Sequence, residues 1–249
     1  MLLPKVAFVM DLDSQQDKFA IHAACREGQT QKVESLLNAD KKLATRKDDD
    51  ERLPIHWAVS HNRLPIVQLL SELKSFDVDA KDGAGWTSLM MAASLKDADD
   101  VVDLLLAKGA HPDEKTNNGQ TALHFTASKS NLDTARKLFA HKASARVKDR
   151  RQQLPLHRAA AVGDVPMVKL LLEHRSALNA TDMDGSTALH HAIAEGHGDT
   201  ALALLKAGAE SDKVDGSGKL AIQLAPDAKV RNYILRSAEE EGIELATNA

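Results

Sequence analysis

Seven short segments recur along this chain at nearly constant distance: Phe19-Ala20-Ile21-His22, Leu53-Pro54-Ile55-His56, Thr87-Ser88-Leu89-Met90, Thr121-Ala122-Leu123-His124, Leu154-Pro155-Leu156-His157, Thr187-Ala188-Leu189-His190 and Leu220-Ala221-Ile222-Gln223. Their last residues lie 34, 34, 34, 33, 33 and 33 positions apart. A period of this length means one supersecondary unit used again and again. No unit of that size can bury its apolar face alone, so each must stack on its neighbours.

Each unit reads as a pair of helices. Pro54 and Pro155 fall where a helix begins and its first N–H has no intrahelical partner. Small residues follow (Ala23-Ala24, Ala92-Ala93, Ala159-Ala160), and these let neighbouring helices approach. About ten residues later a second apolar stripe appears, as in Val33 with Leu36-Leu37, Val102 with Leu105-Leu106 and Val168 with Leu171-Leu172, at the i, i+3, i+4 spacing of one helix face. Gly109 and Gly208 sit where such a helix would stop in the left-handed conformation. Between units lie turn signals, Asp82 to Gly85, Asp182 to Gly185 and Asp215 to Gly218, with Asn117-Asn118-Gly119 in the same role. Asp48–Glu51 and Asp149–Gln152 are versions without glycine.

A period near 33 with a Thr-Pro-Leu-His-x-Ala core resembles the ankyrin repeat. The expected fold is therefore all-α: an ankyrin-repeat solenoid of seven helix-turn-helix units with projecting β-hairpin loops. Residues 1–13 read as an N-terminal extension, 14–238 as the repeat domain, and 239–249 as an acidic tail. A last helix around Lys229–Arg236 is expected to cap the open end.

Composition narrows the function classes. Thirty-two Lys and Arg against 36 Asp and Glu give a net charge of −4, with no global excess to neutralise a nucleic-acid backbone. Only 3% of the 249 residues are aromatic, so the core must come from Leu, Ala, Val and Ile. One cysteine, Cys25, forbids an internal disulfide and a cysteine-rich zinc site. No stretch approaches the roughly 18 apolar residues of a membrane helix. The apolar start, Met1 to Met10, is broken by Pro4 and Lys5 and meets Asp11 and Asp13, which reads as an extension of the first repeat rather than a leader. A cytoplasmic and nuclear protein, monomeric on its own, without membrane or nucleic-acid partners, is the expectation.

The histidines invite a catalytic or metal reading. Five of them (His22, His56, His124, His157, His190) hold the same repeat position, too far apart for one coordination shell. Ring hydrogen bonds to backbone groups between units are their expected role. His190, His191, Glu195 and His197 form the one local cluster but lack the His-Glu-x-x-His spacing of a helical zinc site. Cys25 matches Val59, Ala93 and Ile193 of other units and reads as core filler. No phosphate loop or nucleophile elbow occurs. Neither enzyme activity nor a cofactor is expected.

Function should then sit on the concave face that the stack leaves open. The residue after each recurring position, and the one four later, share that face. They include Trp57, Met91, Phe125, Arg158 and His191, then Lys129 and Glu195, with Trp86 in the hairpin beside them. Apolar groups flanked by charges suit a protein partner. Charge is also segregated: residues 96–114 carry six acids against Lys96 and Lys108, whereas 142–158 carry six bases against Asp149. Such polarity would orient a partner of opposite pattern.

Several stretches go beyond the generic repeat: Leu43-Ala44-Thr45-Arg46, His56-Trp57-Ala58, Ala84-Gly85-Trp86, Ala127-Ser128-Lys129, Leu156-His157-Arg158-Ala159-Ala160-Ala161 and Ala194-Glu195-Gly196-His197-Gly198-Asp199. In these the chain resembles the gankyrin family, the proteasome non-ATPase subunit 10 type, its fungal members above all. The resemblance implies an assembly chaperone of the proteasome regulatory particle. It would hold the C-terminal domain of one base-ring ATPase, the third in the usual naming. It also implies charged contacts at Asp50, Arg52, Lys129 and Glu195, with Trp57, Trp86 and Arg158 beside them. An acidic family position is Gly83 here, with Asp82 adjoining it. The family's Leu-x-Cys-x-Glu motif is not kept at Ala192–Glu195. The alternative is an ankyrin adaptor that regulates a kinase or transcription factor by binding it.

Overall fold

The structure is a computed structural model and describes residues 19–247. The extension at residues 1–13 lies outside the described residues. The chain divides into two compact units after His111.

In the first unit three helix pairs follow one another: α1 (Ala20–Glu27) and α2 (Thr30–Ala39), α3 (Pro54–Ser60) and α4 (Leu64–Ser71), α5 (Ser88–Ala93) and α6 (Asp99–Ala107). The first helices pack in series, α1 on α3 and α3 on α5, and the second helices do the same. A 3-10 turn, Lys41–Thr45, links the first pair to the second. The second unit holds α7 (Ala122–Lys129) and α8 (Leu132–Ala140), α9 (Pro155–Ala161) and α10 (Val165–Glu173), α11 (Ala188–Ala194) and α12 (Gly198–Lys206). Its last pair is a 3-10 turn, Ala221–Leu224, followed by α13 (Ala228–Glu240). Packing again runs in chain order. The expected helical repeat solenoid is what each unit contains.

The core answers the shortage of aromatics. Ala24, Ala58, Val59, Ile66, Val102, Leu105, Leu123, Leu138, Leu156, Leu171 and Leu204 are fully buried. Met90, Met91 and Met167 join them, filling gaps that branched side chains leave. Among the described residues one phenylalanine, Phe139, reaches the core, its ring stacked 3.7 Å from that of His174.

The tips differ from the expected hairpins. Among the described residues they carry two isolated antiparallel bridges, Lys81 with Thr87 and Val214 with Leu220, and no strand. Asp or Thr turns close them instead. At each tip a backbone N–H bonds to the carbonyl four residues on, as from Asp82 to Trp86 and from Asp182 to Ser186, both 3.0 Å. One carboxylate oxygen of Asp182 then accepts from the N–H groups of Asp184 and Ser186 at 3.0 and 2.9 Å. Asp48, Asp82 and Asp215 repeat this pattern, and Thr116 does so through its hydroxyl. Adjacent tips are also joined directly, Gly83 N–H to the Asp50 carbonyl at 2.9 Å and Gly216 N–H to the Asp184 carbonyl at 2.8 Å.

The turns without glycine follow the same path. Glu51 and Gln152 take φ values of 58° and 60° where other tips place a glycine, and Lys142 and Arg175 end their helices left-handed as Gly109 and Gly208 do. All four of these side chains are exposed, and room for a side chain is not found at every such position. At Gly185, with φ of +73°, a Cβ would stand 2.7 Å from the backbone nitrogen of Gly216. Gly185→Ala should therefore lower stability by about 2 kcal/mol or more, the backbone strain adding to a contact that no rotamer relieves. Thermal unfolding followed by circular dichroism checks it, and an unchanged midpoint would contradict this tip geometry.

The capping helix runs further than the sequence suggests, through Glu240. Ala238, in its last turn, is buried, and the Ile243 N–H reaches back to the Ala238 carbonyl at 2.8 Å; two of the three tail glutamates are helical. No helix among the described residues is long and apolar enough to cross a membrane.

Candidate functional site

The recurring histidines build the frame beneath the candidate surface. In four repeats the ring Nδ1 accepts the N–H of the residue three positions earlier: Leu53 to His56 at 3.1 Å, Thr121 to His124 at 3.0 Å, Leu154 to His157 at 3.0 Å and Thr187 to His190 at 3.2 Å. With Nδ1 accepting, Nε2 carries the hydrogen and donates to a carbonyl of the next unit's tip: Ala80, Gln153, Ala180 and Lys219. His22 reaches Arg46 in the same way. Each ring thus fastens one helix start to the following tip, as the sequence suggests. Burial pushes all five below the ordinary histidine value against the pull of these bonds, His124 and His157 to about 4.

The residue after each histidine does something spacing alone does not announce. The turn aspartate uses one oxygen for its own backbone, and the other takes a side-chain donor nine residues further on. Trp57 Nε1 donates to Asp48 at 2.6 Å, Arg158 to Asp149 at 3.1 Å, and His191 Nε2 contacts Asp182 at 2.8 Å. Where the ninth residue is Met91, which has no donor, Arg52 of the preceding tip reaches Asp82 at 3.3 Å. Gln153 similarly adds a second donor to Asp182 at 3.0 Å. Burial alone would raise the Asp48 and Asp182 carboxyls, but these donors outweigh it and hold both below the usual carboxylate value.

In the first unit this brings Arg52, Trp57 and Asp82 together. The Arg52 guanidinium lies 5.3 Å over the Trp57 ring and that of Arg26 5.9 Å, while His61 stacks on the same ring at 5.9 Å. Trp57 also lines a cavity of about 260 Å³ with Phe19, Arg26 and the acids Asp48, Asp49 and Asp50. Asp50 is exposed at the tip and Trp86 is half-buried. Two expectations need correcting. Asp82 is only 6% exposed, because its carboxylate folds back over its own backbone N–H groups and onto Arg52. Met91 is likewise 6% exposed, because all six residues of α5 are buried. Neither offers a partner much surface.

In the second unit Lys129 and Glu195 are exposed at the ends of α7 and α11, and Phe125 is half-buried beside Lys129's helix turn. Arg158 and His191 are half-buried, their polar ends already engaged on Asp149 and Asp182. The His190–His197 cluster is dispersed in the same manner: His190 bonds to Lys219, His191 to Asp182 and His197 to the Ala161 carbonyl at 3.1 Å. Among the described residues no group of three or more His, Cys, Asp or Glu is placed to hold a metal ion. Cys25 is buried, its thiol pushed up to about 12 by burial, as a core residue would be.

A repeat frame with a partly apolar, charged surface defines a protein-interaction module. The family described as ankyrin repeats (3 copies) matches residues 2–82, 72–149, 89–174 and 127–215. The chain belongs to the ankyrin-repeat family. An ankyrin repeat-containing protein of Schizosaccharomyces pombe is 38% identical over 230 residues, 91% of this chain and 97% of that one. A probable 26S proteasome regulatory subunit p28 of Saccharomyces cerevisiae is 39% identical over 136 residues, 53% of this chain, which spans 59% of that relative's length. The human 26S proteasome non-ATPase regulatory subunit 10 is 42% identical over 60 residues, 24% of this chain and 26% of the relative. Among solved structures, the ankyrin repeat domain of Bcl-3 superposes with a TM-score of 0.72 at 25% identity, over 87% of this chain and 97% of that one.

Proposed function

We propose that this protein is an assembly chaperone of the proteasome regulatory particle. It acts without catalysis, in the cytoplasm and nucleus, and it binds the C-terminal domain of a base-ring ATPase subunit. The observation that carries this reading is the kinship with the yeast regulatory subunit, joined to exposed charges at Asp50, Lys129 and Glu195. Lys129 would pair with acids of the ATPase domain, and Asp50 and Glu195 with its basic residues. Trp57, Trp86 and Phe125 supply the half-buried apolar contacts that make a charged surface adhesive. Arg52, Arg158 and His191, each held by a turn carboxylate, enter the complex already oriented, which spares the entropy of fixing them. The bulk of the bound chaperone would keep the particle from docking early on the proteolytic core.

The double reversal Lys129→Glu with Glu195→Lys should abolish pull-down of the ATPase domain, a loss of at least about a hundredfold in affinity, with the far-UV helical signal intact. Retained binding would sink the proposal. Affinity purification from cells separates it from the adaptor reading: base-ring ATPases in the eluate support the chaperone, a kinase or transcription factor the adaptor.

A further inference from the structure

We propose that the first unit carries a second docking site, on the side of its helices away from Trp57. This site takes an acidic peptide segment of a partner protein with one bulky apolar side chain among its carboxylates. Two adjoining cavities, about 330 and 400 Å³, share Thr45 and Ser75 in their walls. They exist because the link after α2 folds into the 3-10 turn Lys41–Thr45, and the link after α4 makes a detour through residues 72–77 before reaching its tip. Neither cavity shares a residue with the one beside Trp57. Along α3, Ile55 points into this site, and Trp57, two positions or about 200° further round, into the other. A partner held at Trp57 therefore leaves this site open.

Its chemistry is two-part. Buried Ile55 and Leu70, with half-buried Leu73 and Phe76, give apolar walls. Lys41, Lys42 and Lys74 stand exposed along the adjoining cavity beside Leu73, with no ion-pair partner among the described residues. Two acids line these walls: Glu72 is engaged by Lys108 at 2.7 Å, and Asp77 accepts the Asp79 N–H at 3.1 Å. Three free ammonium groups beside an apolar hollow favour a ligand that joins carboxylates to an aliphatic or aromatic side chain, the charges steering and the apolar group anchoring. A bare anion would leave the walls unused. A nucleic-acid strand would want a row of exposed rings on which to stack its bases, and the site offers only half-buried Phe76.

Differential panning tests this without knowing the partner. Random dodecapeptides displayed on phage are selected on the intact protein in excess soluble K41E/K42E/K74E, which subtracts ligands of every other surface. The expected survivors carry Leu, Ile or Phe together with Asp or Glu. The best of them, labelled with fluorescein, should lose at least about tenfold in affinity for the triple variant by fluorescence anisotropy, and none for Lys129→Glu. Replacing its apolar residue with serine should cost about as much. The triple variant alters only exposed side chains and should keep its helical signal. Failure to enrich any peptide, or enrichment of peptides without carboxylates, overturns the proposal. So does displacement by inorganic phosphate or a single-stranded oligonucleotide as readily as by the unlabelled peptide. Neither result bears on the chaperone reading, which rests on other residues.

Discussion

Between pH 6.5 and 4 this protein should lose stability steeply, and His157→Gln should remove a definite share of the loss. His124 and His157 are held near 4 in the folded state, and an unfolded histidine titrates near 6.5. The unfolded chain therefore binds protons first as pH falls. Each ring contributes its full stabilisation above about pH 6.5 and surrenders about 3 kcal/mol by pH 4, where the folded form begins to titrate too. The two together amount to about 6 kcal/mol against a typical stability of about 5–15 kcal/mol. His22, His56 and His190 shift the same way and add to the slope. The cause is burial, which penalises the charged ring, and in His157 Nδ1 also already accepts a backbone N–H. A proton placed there must face that donor and break the bond.

The seventh repeat supplies the control. Gln223 takes the histidine's place, and its Oε1 accepts the Leu220 N–H at 2.9 Å, which reproduces the Nδ1 bond with no titrating group. His157→Gln should keep most of its stability at neutral pH and show a pH dependence about 3 kcal/mol shallower between pH 6.5 and 4. Urea unfolding followed by circular dichroism across that range reads it. An unaltered slope would mean that the acid sensitivity lies elsewhere.

These histidines were visible in the sequence as a period, and their role followed from one being available in five of the seven units. Helix pairs were legible for the same reason: apolar residues three and four apart leave little choice. What spacing could not give was the curl of the turns. A carboxylate written in a loop suggests a solvated charge, yet Asp82 and Asp182 are wrapped by their own backbone and by donors from neighbouring repeats. Helical geometry relates residues four apart, so it was silent on pairs nine apart that meet across a turn. The donor types at 57, 158 and 191, nine after an Asp, are a signal that could have been read. Met91 misled because the face rule assumes a full-length helix, and α5 is short and buried throughout.

The same wrapping makes Asp182→Ala the costliest single change expected at the candidate surface. Its Oδ1 accepts two backbone N–H groups, and its Oδ2 meets Gln153 Nε2 and His191 Nε2, so one methyl leaves four groups short of a partner. Bonds to an ionised acceptor are worth about 1.5–3 kcal/mol each, and relaxation recovers part, for a net loss of about 3–5 kcal/mol. His191→Ala removes only one of those donors, from a side chain that is 25% exposed, and should cost about 1 kcal/mol. The contrast separates two meanings of a surface residue. If His191 served only a partner, its removal would weaken binding with no thermal effect, and Asp182→Ala would resemble any exposed substitution. If the carboxylate holds both the tip and the imidazole, Asp182→Ala should lower the melting temperature by several degrees and weaken partner binding by misplacing His191. Asp182→Asn should fall between, because its amide keeps the backbone acceptor but turns an N–H toward two existing donors. Calorimetry on the three variants decides it. A melting temperature for Asp182→Ala within a degree or so of the parent would mean that the turn closes without its carboxylate.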